Sequence, residues 1–295
     1  MEKSMAIVGC GKVGSALGIY LCSAENKKNG HRPPGFASKS LGSAKKVAAR
    51  AGSHLFTDHP IEVTKDADIV FITTPDDVIE GVCAEIAKLG GFKKGGVVLH
   101  CSGALPSTIL ETANQCGAFV GSIHPLQSFS SDEFDENPFN GIIAAIEGEP
   151  LAAKEAERVA EILGARPIAI RTDAKTLYHA SAVVASNYLV ALIDFAFKLI
   201  GKAGVSENEA LDVLKPLIDG TLENVKKFGV EKALTGPIAR GDVATVDSHL
   251  QEIETKVPQL LELYKTLGSH TIGVARAGKI ISESTEKSLA DLVKR

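Results

Sequence analysis

Gly9-Cys10-Gly11-Lys12-Val13-Gly14 closes a short apolar run, Met5–Gly9, and opens a helical pattern, Val13–Ala24. The pattern G-x-G-x-x-G between a strand and a helix meets three separate steric demands. Gly9 permits a tight turn, Gly11 lets the backbone come close to a pyrophosphate, and Gly14 lets the helix pack against the strand. The helix N-terminus then offers unpaired N–H groups and the positive end of its dipole to the anion. Gly9, Gly11, Lys12, Val13 and Gly14 are therefore the candidate phosphate loop of a dinucleotide site.

The next strand of such a unit ends in Asp or Glu when the ligand's ribose hydroxyls are to be held, as in NAD. Here it ends Ser38-Lys39-Ser40. A lysine between two hydroxyls suits a 2′-phosphate by charge and by hydrogen bonding. NADP is the expected cofactor and NAD the less favoured one, with Lys39 as a solvated loop residue the plainer alternative.

Outward from this corner, short apolar runs alternate with helical patterns as far as Arg171, which is the signature of a parallel α/β sheet. The strand candidates are Met5–Gly9, Gly35–Ser38, His54–Thr57, Ala67–Thr74, Gly96–Ser102, Ala118–His124, Gly141–Glu147 and Pro167–Ile170. Helical patterns lie between them at Val13–Ala24, Ala44–Ala51, Asp77–Leu89, Ser107–Gln115 and Ala152–Leu163. Beyond Arg171 the strand signal stops. Asp173 is a candidate N-cap for a helix running to Ala203, roughly 45 Å at 1.5 Å per residue. Further helices are expected at Glu207–Lys227 with a kink at Pro216, at Asp242–Leu267 with Pro258 inside it, and at Ser284–Val293. The expected fold is α/β, a Rossmann-like, doubly wound and mostly parallel sheet over residues 1–171, followed by an all-α domain over 172–295.

Composition narrows the partners. The 295 residues carry a formal net charge of -4 without a basic stripe, so nucleic acid is not expected. The five cysteines are scattered and contain no C-x-x-C pair, which suits reduced thiols in the cytoplasm rather than a metal site. No secretory signal pattern precedes the first strand, and no stretch approaches 18 uninterrupted apolar residues, so no membrane association is expected. The segment Ala180–Leu199 is apolar on nearly all sides and needs burial all round, which a homodimer would supply.

Ligands of open α/β sheets bind beyond the carboxyl ends of the strands. Thr74, Pro75 and Asp76 follow the fourth strand and are candidates for the nicotinamide riboside, although Asp76 suits ordinary helix capping equally well. Ser102 and Gly103 follow the fifth, where a hydroxyl and exposed amides suit a substrate carboxylate. His124 follows the sixth, as polar lining or as a turn residue. On the long helix, Lys175 and His179 are four residues apart, and Ser186 returns to within about 20° of Lys175, with Asn187 one step round. Four polar residues on adjoining faces of an apolar helix are costly unless paired or solvated, so they are expected to border a cleft. Arg240, just before the candidate N-cap Asp242, either clamps an anionic substrate or fixes the turn.

Together the glycine loop, Thr74-Pro75-Asp76-Asp77, His100-Cys101-Ser102-Gly103-Ala104-Leu105, His124-Pro125-Leu126-Gln127, the run His179 to Asn187, and Thr235-Gly236-Pro237 through Asp242 with Thr245 and His249 carry a resemblance that covers nearly the whole chain. The chain resembles a family of oxidoreductases with a Rossmann-like N-terminal half and an uncharacterised helical C-terminal half. That family looks related to pyrroline-5-carboxylate reductases, 3-hydroxyisobutyrate dehydrogenases and ketopantoate reductases. The resemblance implies reduction of a small keto or imino acid. The K-x-x-x-N spacing of the 3-hydroxy acid dehydrogenases would require Asn where this chain has His179, so the proton donor departs from that pattern.

The expected chemistry is hydride transfer from NADPH to the carbonyl or imine carbon of a small anionic substrate. His179 or Lys175 donates the proton and Asn187 orients the acceptor atom. Ser102, Gly103, His124, Ser186 and Arg240 hold the substrate. A histidine, with an ordinary pKa near 6.5, is the better-matched donor at neutral pH. The alternative is a non-catalytic NADP-binding sensor or scaffold.

Overall fold

The computed structural model describes residues 3–22, 34–129, 134 and 136–294. The end of the first expected helix and most of the loop at Asn26–Pro34 lie outside those residues.

Eight strands form one sheet in the order β3-β2-β1-β4-β5-β6-β7-β8. They are β1 Met5–Val8, β2 Gly35–Ala37, β3 Phe56–Thr57, β4 Ile69–Ile72, β5 Val97–His100, β6 Phe119–Pro125, β7 Ile143–Gly148 and β8 Arg166–Ala169. All neighbours are parallel except β6 and β7. The apolar runs are continuous because the sheet is covered on both faces. Ile7, Ile69 and Phe71 pack into one core layer, and Ala6, Val70 and Ile72 into the other. The strand order reverses between β1 and β4, which opens a crevice beyond their carboxyl ends, the usual place for a dinucleotide. Gly121 and Gly148 are register partners on β6 and β7. A Cβ on Gly148 would stand 2.4 Å from the Gly121 Cα, so the reversal of β7 depends on that close approach.

The chain divides into two compact units, Met1–Ala185 and Ser186–Arg295. The strand pattern alone suggested a division at 171/172. Contacts divide the chain later because the helix Lys175–Ala185 sends Lys175, 1% exposed, into the first unit. Asp173 does not cap that helix. It lies within a 3₁₀ turn, Thr172–Ala174, and pairs with Arg171.

The second unit is helical throughout its described residues. Its core gathers Val246, Leu250, Ile272, Leu289, Leu292 and Val293. The expected single helix Asp242–Leu267 is two, Val243–Lys256 and Leu261–Ala277, separated by a 3₁₀ turn at Pro258–Leu260. Proline disfavours helical backbone at the residue before it, and Val257 accordingly leaves the helical region, at φ -147 and ψ 55. Pro216, in contrast, is accommodated within the helix Glu207–Phe228. The long apolar helix is likewise interrupted at Ser186, ahead of a second segment, Asn187–Lys202. By length and composition 172–202 could cross a membrane, and little of its apolar surface is buried within the single chain.

Candidate functional site

Gly11 is the N-cap of the helix Lys12–Leu21, whose first turn carries neither a side-chain cap nor an acidic residue. The amides there are left for an anion. The three motif glycines serve different ends. Gly9 has φ +106, and a Cβ on it would meet the Thr74 nitrogen at 2.7 Å. A Cβ on Gly14 would lie 2.0 Å from the Gly9 oxygen, whereas one on Gly11 would meet nothing within 4 Å. Gly9 and Gly14 are thus required by packing, and Gly11 borders open space of the kind a pyrophosphate needs. Thr73, which the sequence reading passed over, fixes this loop by donating its hydroxyl to the Gly9 oxygen at 2.6 Å. Lys12 is exposed and Val13 half-buried at the mouth. Burial pushes the Cys10 thiol up to about 12, which removes it as a nucleophile.

At the second corner, Ser40 caps the helix Leu41–Ala51 by accepting from the Ser43 amide at 3.3 Å, and that helix has no acidic residue in its first turn. Ser38 donates its backbone amide to the Thr57 oxygen. Lys39 is exposed. The Ser40 oxygen therefore has a structural partner, while its proton, the nearby amides and the Lys39 ammonium offer positive potential.

The corners after β4 and β5 are tied to each other. Pro75, not Asp76, precedes the 3₁₀ turn Asp76–Val78. Asp76 instead accepts a hydrogen bond from the Ser102 hydroxyl at 2.8 Å. The same hydroxyl oxygen accepts from the Ala104 and Leu105 amides at 3.1 and 3.0 Å. One donor and two lone pairs are all a hydroxyl has, so Ser102 shapes the loop and has nothing left for the substrate carboxylate expected of it. Thr74 Oγ1 is buried without a partner.

Beneath these loops runs a buried polar row. His100 on β5 is the register partner of Ser122 on β6, and Ser122 that of Glu147 on β7. Alternation puts all three on the sheet face that also carries Val98 and Val120. Five donor atoms converge on the Glu147 carboxylate: the Ser107 amide and hydroxyl, the hydroxyls of Ser122 and Thr172, and Lys175 Nζ at 3.2 Å. Lys175 also donates to Ser122. Burial alone would raise the Glu147 pKa, but the bonds from Ser122 and Ser107, the Lys175 charge and the Thr172 bond outweigh it and hold the carboxyl below its ordinary value. Burial lowers the Lys175 pKa against the pull of Glu147. Lys175 is thus committed to an ion pair and is an anchor rather than a free proton donor.

One turn along the same helix the chemistry opens. Tyr178 places its hydroxyl 2.9 Å from Nδ1 of His124. The rings of His124 and His179 meet edge to face with centroids 6.2 Å apart, and Nδ1 of His179 is buried without a partner. Gly103 passes between the two imidazoles. Burial, then the Lys175 charge, then His179 lower His124 to about 4, so its ring is neutral near pH 7. Burial, then Lys175, lower His100 to about 3.

Lys175, His179, His124, Ser102 and Gly103 therefore gather in the first unit with the glycine loop. Ser186, Asn187 and Arg240 belong to the second. Ser186 stands at the N-cap of its helix without a side-chain cap bond. Arg240 is the exposed last residue of the short helix Gly236–Arg240. Asp242 caps the next helix, accepting from the Thr245 amide and hydroxyl at 3.1 and 2.7 Å. Glu147, Ser122 and Tyr178 were not singled out from the sequence. Glu147 had a visible signal, a lone carboxylate at the end of the apolar run Ile142–Ile146.

These features define the class, a Rossmann-like α/β unit followed by a helical one. Residues 2–125 match the model of a Rossmann-like domain. Residues 142–271 match that of a domain of unknown function (DUF2520). No curated protein sequence matches the chain. Among solved structures, protein TM1727 from Thermotoga maritima is 26% identical with a TM-score of 0.70, over 93% of this chain and 99% of that one. BF3122 from Bacteroides fragilis, a proposed NADP oxidoreductase, is 22% identical with a TM-score of 0.71, over 93% and 98%. A pyrroline-5-carboxylate reductase from Coxiella burnetii is 14% identical with a TM-score of 0.59, over 96% and 100%.

Proposed function

We propose that the protein is an NADP-dependent reductase acting on the carbonyl or imine carbon of a small keto or imino acid, ketopantoate included. The observation that carries this reading is the gathering of His124, Tyr178 and His179 at the carboxyl ends of the strands, in the same unit as a glycine loop whose Gly11 faces open space. The glycine loop and the Lys12 amide end hold the pyrophosphate. Ser38, Lys39 and Ser40 hold the 2′-phosphate, and Thr74, Pro75 and Asp76 border the nicotinamide riboside. When bound, the cofactor supplies the hydride. His179 delivers the proton to the substrate's oxygen or nitrogen. The decisive experiment is NADPH oxidation over a panel of 2-keto acids and cyclic imino acids. Consumption with none of them, alongside tight NADPH binding, would favour the sensor or scaffold reading instead.

NADPH is expected to bind more tightly than NADH, and Lys39→Ala is expected to weaken NADPH by about tenfold, the scale of one exposed charge-assisted contact. Fluorescence titration decides the point. Equal affinities in the parent, or an unchanged variant, would remove the basis for NADP.

A homodimer built through the helical unit is the proposed assembly, in the cytoplasm and without membrane attachment. Tyr188, Val190 and Leu217 are 59%, 67% and 70% exposed in the single chain, and such apolar surface is normally covered. Light scattering is expected to give twice the chain mass, and a stable monomer at micromolar concentration would overturn the assignment.

A further inference from the structure

His100 ends β5 with its backbone held in the sheet on both sides, opposite Ile72 of β4 and Ser122 of β6, and it is 0% exposed. Nδ1 of its ring lies 3.1 Å from the Ser102 backbone nitrogen. A backbone N–H can only donate, so Nδ1 is the bare, accepting nitrogen and the ring proton is on Nε2. Nε2 has the Pro106 carbonyl near it but no partner at hydrogen-bonding geometry. The ring does for Ser102 what an Asn or Asp does in an Asx turn, accepting from the amide two residues on.

The loop that hangs from this bond is accounted for group by group. The Ser102 N–H goes to His100, the Ala104 and Leu105 N–H groups to the Ser102 hydroxyl oxygen, and the hydroxyl proton to Asp76. Between them is Gly103, buried, with its backbone packed directly on two imidazoles. A Cβ on it would stand 2.7 Å from Nε2 of His124 and 2.7 Å from Nδ1 of His179, so there is no slack between the loop and these rings. In a close-packed interior a displacement of the loop is passed on to both. The charged and titratable groups that act on His100 are Lys175 and Glu147, paired with each other, and His124. Burial first and the Lys175 charge second lower its pKa to about 3, against the pull of Glu147 and the Pro106 carbonyl, so Nδ1 stays an acceptor throughout the neutral range.

We propose that His100 is a positioning residue for the reaction. By accepting the Ser102 amide it holds the loop 102–105 at the height at which Gly103 packs against the His124 and His179 rings, and so fixes where His179 presents its proton. The proposal rests on the reductase reading of the site. His100 itself, fully enclosed, transfers no proton and touches no substrate. The buried row thus steadies His179 from both ends: Lys175, bonded to Glu147, fixes the helix that carries it, and His100 fixes the loop it leans on.

The test uses the full chain with ¹⁵N-labelled histidine, first without cofactor. His100→Leu removes the acceptor and is expected to move the ring resonances of both His124 and His179. His100→Asn, which restores an acceptor for the Ser102 amide, is expected to return them toward the parent positions. With cofactor and a substrate that is turned over, His100→Leu should lose about tenfold or more in kcat per folded molecule, since a misplaced reacting group costs up to about 10²-fold. KM, NADPH affinity and the pH dependence of kcat should stay as in the parent, and His100→Asn should recover most of the loss. Should His100→Leu fail to fold, His100→Gln takes its place, because its amide reaches one bond further and misses the position of Nδ1. If the His124 and His179 resonances are unmoved when the acceptor is removed, the positioning role is wrong whatever the enzyme does. If the rings respond and Asn restores them but no substrate is reduced, the positioning stands and the reductase reading is what fails. If an active enzyme loses as much kcat with Asn as without any acceptor, or if its pH profile moves with the substitution, His100 does not act through the Ser102 amide and the proposal is overturned.

Discussion

Lys175→Met is expected to destabilise the protein by about 3–5 kcal/mol, a large part of the stability of an ordinary domain. The Lys175–Glu147 pair is 1% exposed on each side. Removing the ammonium leaves a carboxylate enclosed among Ser107, Ser122 and Thr172 with no countercharge. The cost comes from the uncompensated charge and not from the net value of the pair, so Lys175→Met combined with Glu147→Gln should recover much of the loss. Denaturant unfolding of the two variants separates these contributions. A single variant as stable as the parent would mean that water reaches Glu147 freely and the pair is not an anchor.

The second large effect concerns the chemistry. His179→Ala is expected to lower turnover by roughly 10²-fold or more while leaving NADPH affinity intact, since general acid catalysis contributes about 10²–10⁴-fold. The two variants must be read together, because Lys175→Met also lowers activity by unfolding the site. The measurement that distinguishes them is kcat per folded molecule, taken below the unfolding transition of each. If His179→Ala keeps full turnover while folded Lys175→Met loses it, the lysine is the donor and its bond to Glu147 must open during catalysis.

The glycine loop, the eight strands and most of their crossover helices were legible in the sequence because their signals are local, the single turn Ile61–Thr64 between β3 and β4 being the one passed over. Apolar runs of four to eight residues, each ended by a turn, need no knowledge of their neighbours. The reversal of β7 was not legible, since an apolar strand reads the same in either direction and only its partner on β6 fixes it. Helix ends in the second unit failed where a weak local signal met a specific backbone demand, at Pro258 and at Ser186. The site was legible in part. His179, Lys175 and His124 stood out as polar residues where strand ends and an apolar helix predict ligands. Their division of labour did not, because it depends on contacts across 25 to 54 residues of sequence, such as Ser122 with Glu147 and His124 with Tyr178. Ser102 looked free for a substrate only because Asp76, 26 residues earlier, could not be seen beside it.

The Glu147 carboxylate also has a consequence for how separable the two halves of this protein are. Its donors come from the turn after β5, from β6, from the turn after β8 and from the first residue of the next helix. A chain that stopped at Arg171 would hold all eight strands and the entire glycine loop, yet would lack both Thr172 and Lys175. The sheet is therefore complete as geometry before it is neutral as electrostatics. Evolution could exchange the helical unit for another one at the Ala185–Ser186 boundary without touching this balance. A cut where the strands end would pass on a dinucleotide fold with a buried negative charge near one edge of its sheet, still bonded to Ser107 and Ser122 but without its countercharge.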